Sequence, residues 1–200
     1  MRRWTWRGRR AQSIVELAIL LPLFLILIAG LTELGFAIAA YLSLQDAVRE
    51  AARFGADGDP CLYADHQEDP RDPGAVCDSD LFMTPVSQRF DEAFRPYTMN
   101  ASLGDDLVIS AFGIRQDGTL AWRLPRNAPN GWSRFRNRSS RVTDAAIAAQ
   151  IGHSPSKGVL VVEAYYHYRQ RLGLFTWAFP EIIPMYASAW MPLPSVDPME

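Results

Sequence analysis

Apolar residues are arranged along this chain in three different ways, and each predicts a different element. The first arrangement is continuous. After Arg10 the chain reads AQSIVELAILLPLFLILIAGLTELGFAIAAYL, with no charge from Leu17 to Thr32. Continued past Glu33 to Leu42, the run predicts a helix segment of about 39 Å, enough to cross a bilayer core of about 30 Å. The second arrangement is periodic: Leu44, Ala47, Val48, Ala51 and Ala52 recur at helical spacing between Asp46, Arg49, Glu50 and Arg53. The same helix therefore becomes amphipathic, and Gly55 is expected to end it in a left-handed conformation. The third arrangement belongs to strands. DLVISAFGIR (106–115), an Asp117-Gly118 turn and TLAWRL predict a hairpin, and VLVVEAYYHY (159–168) is the strongest strand. A further strand is expected around Tyr186 to Met191.

Two shorter helices complete the pattern. Thr84-Pro85 reads as a cap and first helical position, with Val86, Phe90 and Phe94 on one face, and a helical stretch from Val142 to Ile151 is closed by Gly152. The expected fold class is α+β: a long N-terminal transmembrane and amphipathic helix, then a small extracytoplasmic domain with about four antiparallel strands. Leu172 to Leu193 contains FTWAFPEIIPMY, apolar enough to raise a second membrane contact, although Glu181, Pro180 and Pro184 argue against a span.

Charge adds direction. Lys plus Arg number 20 and Asp plus Glu 22, but Arg2, Arg3, Arg7, Arg9 and Arg10 crowd the first ten residues with no acid among them. The rest of the chain is acidic, at −7 against an overall −2. Arginines precede the apolar run and none follows it until Arg49, so the positive-inside bias leaves the N-terminus cytoplasmic and the body outside. With 200 residues, one core is expected, which excludes enzymes built from separate cofactor and substrate lobes.

Three readings compete for the N-terminal segment. A secretory signal peptide would be cut after Ala37-Ile38-Ala39, yet the helical pattern continues through that point and Glu16 heads the apolar run. A plain signal anchor leaves Glu16 and Glu33 unexplained at about 2 to 3 kcal/mol each if unpaired in lipid. A third reading makes the acid useful. If the basic leader, 1–11, were cut between Ala11 and Gln12, the new α-ammonium would need a counter-charge, and Glu16 one turn in could supply it to a neighbouring subunit. Residues 12–55 would then form the helix and 56–200 the extracytoplasmic domain.

The stretch from Arg9 to Gly55 resembles the N-terminal module of TadE-like proteins, the pseudopilins or minor pilins of the bacterial tight-adherence (Flp) pilus. The resemblance rests on a small residue, an intervening QSIV, Glu16, then an apolar helix containing Pro22 and a Glu-Leu-Gly near its end. Ala11 stands where glycine usually precedes the cut, and Leu17 where an aromatic commonly follows the acid. The resemblance implies a single-pass protein of the bacterial inner membrane, processing at Ala11 and Gln12 by a prepilin peptidase, and docking through Glu16. Its implied partners are other pilins or pseudopilins and the pilus assembly platform, and it implies a structural role with no enzyme activity. The alternative is a single-pass extracytoplasmic binding or adhesion protein that keeps its leader and enters no filament.

Little else carries chemistry. Asp57 to Asp80 holds eight acids against one arginine and encloses Cys61 and Cys77, which outside the cytoplasm read as a disulfide closing a 15-residue loop. Zinc on Cys61, His66 and Cys77 would have only three ligands and no paired spacing. No metal and no cofactor is expected, and no nucleophile elbow or phosphate loop occurs. The acid-free stretch 123–141 is a candidate anionic-ligand loop through Arg126, Trp132, Arg134, Arg136 and Arg138, since guanidiniums and rings together suit anions. A solvated loop is the plainer reading, and nucleic acid is not an expected partner outside the cell.

Overall fold

The computed structural model describes residues 7–58, 79–115, 119–125, 130–151, 158–173, 176 and 180–194. The elements run in the order α1 (Arg7–Ala56), α2 (Ser79–Phe94), β1 (Asp106–Ile114), β2 (Leu120–Leu124), β3 (Trp132–Ser133), α3 (Asp144–Ile151), β4 (Gly158–Arg169) and β5 (Ile182–Leu193). The class is α+β, with a long apolar N-terminal helix and a five-stranded antiparallel sheet. Contacts divide the chain into two units. One comprises 7–39 with Arg169–Ile183, the other Ala40–Tyr168 with the chain from Pro184 onward.

In the first unit α1 presents bare hydrocarbon. Ile14, Leu17, Leu21, Phe24, Ile28 and Leu31 are all exposed, and the helix continues through Pro22. The Thr32 hydroxyl donates to the carbonyl of Ile28 at 2.8 Å, so it is satisfied within its own helix. This segment is long and apolar enough to cross a membrane.

In the second unit the amphipathic end of α1 does what its spacing predicts. Leu44, Ala47, Val48, Ala51 and Ala52 are buried against Phe82, Met83, Val86, Phe90 and Phe94 of α2 and against one face of the sheet. Gly55 does not end the helix by turning left-handed; α1 runs on to Ala56. A Cβ at Gly55 would strike Leu160 of β4 and Val86 of α2, so close approach of backbone to sheet is what requires glycine there. Helix α2 starts at Ser79, five residues before the expected Thr84-Pro85 start, and Pro85 lies inside it. Burial of Phe82 and Met83 accounts for the earlier start, because an unwound first turn would leave both in water.

The sheet order is β2-β1-β4-β5, with β3 also pairing β1 on the edge that β2 uses further along. In the β1–β4 pairing Asp106 stands opposite Tyr165 and Val108 opposite Glu163. Alternation then sorts the residues. Leu107, Ile109 and Ala111 of β1 with Leu160, Val162 and Ala164 of β4 join the core under α1 and α2. Phe112, Ile114, Val159 and Val161 face the other way and pack with Val142 and Ile147, beneath α3. On that second face the far end of the sheet is polar, carrying Asp106, Glu163 and Tyr165. Strand β5 is longer than the expected Tyr186–Met191 and includes Pro184 and Pro192, which an edge strand tolerates.

Candidate functional site

The processing and docking residues lie on α1. Ala11 and Gln12 are within the helix, which begins at Arg7, and Glu16 is exposed among apolar neighbours. Glu33 differs. It is only 7% exposed, while Leu31 and Leu34 beside it are 70% and 56% exposed. Its carboxylate accepts the backbone N–H of Arg171 at 2.9 Å and that of Leu172 at 2.7 Å. Arg171 places its guanidinium 5.7 Å from the centre of the Phe36 ring. The acid that a plain anchor leaves unexplained therefore has a partner within its own unit, the chain following β4. Sequence reasoning asked for such a partner but had no means of finding it 138 positions away.

The polar end of the second sheet face is covered by the segment 130–141. Gly131, at φ 84°, occupies the left-handed region that glycine favours and turns the chain into β3. Arg136 is also left-handed, at φ 60°. The resulting bend makes a nest of backbone N–H groups, of the kind that binds anions, and Asp106 fills it. Its Oδ1 accepts from the N–H of Leu107 at 2.8 Å and of Phe135 at 3.0 Å. Its Oδ2 accepts from the Ser133 hydroxyl at 2.6 Å, the Asn137 N–H at 2.8 Å and the Arg138 N–H at 2.7 Å. Five donors converge on one fully buried carboxylate.

Two further acids extend this network. Glu163 accepts from the Ser140 hydroxyl, the Arg141 N–H at 2.9 Å and the Tyr186 hydroxyl at 2.8 Å. Asp105 accepts from the N–H and the Nδ1 of His167, each at 2.8 Å, and from the Asn100 N–H at 2.7 Å. With Arg138 Nη2 donating to His167 Nε2 at 3.3 Å, the imidazole carries its proton on Nδ1. Burial, helped by the neighbouring Glu163, pushes the Tyr165 hydroxyl well above its ordinary range. Tyr186 is pushed up to about 12, again mainly by burial, with Glu163 adding and the Ser188 hydrogen bond and Arg141 opposing.

The structure places the candidate anionic-ligand residues within this framework. Trp132 donates its indole N–H to Asp80 at 2.5 Å, and Arg134 binds Asp91 at 2.6 Å while lying 4.9 Å over Phe135. Arg138 bonds Gly104 and His167 and sits 5.8 Å over Tyr165. Arg136 is exposed, and Arg126 lies outside the described residues. The segment is thus a packed cover whose backbone already holds an internal carboxylate. The expected Cys61–Cys77 disulfide and the His66 considered with it fall on 59–78, outside the described residues, and the structure gives the disulfide no support. Elsewhere in the second unit a polar groove of about 280 Å³ lies between Tyr41, Gln45 and Arg49 of α1 and Tyr186 and Ser188 of β5.

A bare apolar helix long enough to cross a membrane, followed by an α+β domain, defines a membrane-capable module. Residues 11–53 match the family described as TadE-like protein, so the segment bearing Ala11, Gln12, Glu16 and Glu33 is TadE-like. The match covers 43 of the 200 residues and suggests a membrane protein associated with the Tad pilus. No curated protein and no solved structure matches the chain.

Proposed function

We propose that this protein is a single-pass, pseudopilin-like structural or assembly component of a bacterial tight-adherence (Flp-type) pilus. Residues 12–55 anchor it in the inner membrane with the N-terminus cytoplasmic, and 56–200 form the extracytoplasmic domain that presents the contact surface to other pilins and the assembly platform. A prepilin peptidase removes 1–11 between Ala11 and Gln12. The exposed carboxylate of Glu16 then neutralises the new α-ammonium of a neighbouring subunit as it docks. The observation that carries this reading is the TadE-like segment at 11–53 on a helix whose large apolar side chains are bare from Ile14 to Leu31. A carboxylate at the head of that run is costly if it is drawn into lipid unpaired, and an amine beside it removes that cost.

The test is intact mass and N-terminal sequencing of protein from native membranes. A chain beginning at Gln12 is expected. One beginning at Met1 would remove processing and leave an anchored adhesion protein, and one beginning at Ala40 would remove the anchor. Glu16→Gln should reduce pilus assembly with membrane insertion unchanged, and unaltered assembly would refute the docking role.

A further inference from the structure

Strand β5 is an edge. It lies beside β4 in the sheet, and no strand pairs its other side among the described residues. The direction of its backbone groups follows from its antiparallel pairing with β4. The Gln170 N–H donates to the Glu181 carbonyl at 3.1 Å, which starts an alternation in which odd-numbered residues of β5 face β4 and even-numbered ones face away. Two observations agree with this register. Tyr165 and Tyr186, five positions in from that bond on either strand, have ring centroids 5.1 Å apart. Pro184 and Pro192, both even, sit inside β5 without breaking it, as residues whose nitrogens face away from β4 can. Between the prolines, the N–H groups of Tyr186, Ser188 and Trp190 therefore point outward.

An open edge of this kind recruits strands, and proteins commonly guard it with charge on the strand itself. From Ile182 to Leu193 β5 carries none. Charge stands on either side of it instead. On the second sheet face the exposed Arg141 places its guanidinium 4.4 Å over the Tyr186 ring. On the first face the exposed Arg49 of α1 lines, with Tyr41 and Gln45, the polar groove of about 280 Å³ that runs beside Tyr186, Ala187 and Ser188. Arg49 meets Asp46 at 3.6 Å, an exposed pair that is weak and readily exchanged. A strand laid along β5 turns successive side chains to opposite faces, so of two neighbouring residues one meets Arg141 and the other Arg49. A carboxylate suits both places. A second copy offering its own β5 would bring no charge to either arginine.

We infer that the outer edge of β5, from Met185 to Met191, receives an extended segment of another protein that carries two adjacent acidic residues. Backbone hydrogen bonds to Tyr186, Ser188 and Trp190 hold the segment, and Arg49 and Arg141 select its acids from the two faces. Recognition is by strand addition, in which main-chain bonds give affinity and side chains on alternate faces give selectivity. The site stands on the second unit alone and does not depend on processing, on the span or on pilus assembly.

The experiment titrates the full chain in detergent with the peptide TVEEVTV, carrying fluorescein at its N-terminus and an amide at its C-terminus, and follows polarisation and single-residue amide exchange. TVEEVTV is expected to bind at least about ten-fold more tightly than TVKKVTV and to protect the N–H groups of Tyr186, Ser188 and Trp190. Arg49→Gln and Arg141→Gln, both on exposed side chains, should each weaken binding about two- to five-fold. Ser188→Pro removes the central outward N–H at a position of the same kind as Pro184 and Pro192. It should weaken binding at least about ten-fold with the near-ultraviolet circular dichroism unchanged. Equal binding of the two peptides, or binding of neither, would overturn the acidic partner, and binding without protection at the three amides would overturn the edge. Unchanged affinity in both arginine variants would overturn their role. Slow exchange at the same amides without peptide, lost on dilution of the protein, would give the edge to a second copy instead.

Discussion

Replacing Asp106 tests whether the 130–141 segment is held by an internal anion. In Asp106→Ala all five donors, from Leu107, Ser133, Phe135, Asn137 and Arg138, lose their acceptor at once. A buried donor left unsatisfied costs about 1 to 3 kcal/mol, and water entering the vacated space will recover some of them, so a loss of about 3 to 5 kcal/mol is expected. Asp106→Asn is the sharper probe. The new amide nitrogen should take the Oδ1 position, where it displaces two donors rather than three, for a loss of about 2 to 4 kcal/mol. At about 2 to 4 °C per kcal/mol for a domain of this size, Asn should lower the melting temperature by about 4 to 16 °C, and Ala by more. Thermal unfolding of the full chain in detergent, followed by near-ultraviolet circular dichroism, gives the shift. Amide exchange at Phe135, Asn137 and Arg138 gives the location. A shift below about 2 °C in Asp106→Asn, with exchange at those three amides unchanged, would refute the carboxylate as the organising centre.

Other consequences follow from the same packing. Gly113→Ala places a methyl group into the indole of Trp122 across the β1–β2 pairing and should cost about 1 to 3 kcal/mol, read as a lower denaturation midpoint; Ala tolerated without loss would place that ring elsewhere. Phe90→Ala empties a fully buried site in contact with Phe94 and should destabilise by about 3 to 5 kcal/mol in the same assay. Tyr186, pushed up to about 12 by burial, binds its proton more tightly folded than unfolded. That contribution is fully present below the unfolded value of about 10 and is lost as pH rises through the folded one. Absorbance at 295 nm should show delayed phenol ionisation that Tyr186→Phe diminishes, together with a shallower alkaline loss of stability between those values; identical titrations would count against the burial of that phenol.

Much of the fold was legible because its signals are local. Val86, Phe90 and Phe94 fall on one helix face, and the strand runs at 106–115, 119–124 and 159–168 announce themselves by their apolar pattern, while the Asp117-Gly118 turn lies outside the described residues. Boundaries erred where a tertiary contact outweighs a local one. Burial of Phe82 and Met83 extends α2 past the Thr84-Pro85 signal, and the approach of Leu160 makes Gly55 a packing residue rather than a cap. Strand β3 went unseen because two residues, Trp132 and Ser133, carry no period at all.

The candidate site divides along the same line. A bare apolar run with basic residues on one flank and an acid at its head determines a membrane-capable helix and its TadE-like character, because partitioning into lipid depends on composition over some twenty consecutive residues and needs no fold. What becomes of the acids does need one. Glu33 meets donors 138 and 139 positions further along the chain, and Asp106 meets a nest whose donors are mostly backbone groups, the same in every residue and so invisible in sequence. Only the tertiary structure, by bringing 33 to 171 and 106 to 133–138, decided that one acid clips a connector to the helix and that the other fills a segment whose arginines had suggested an external anion.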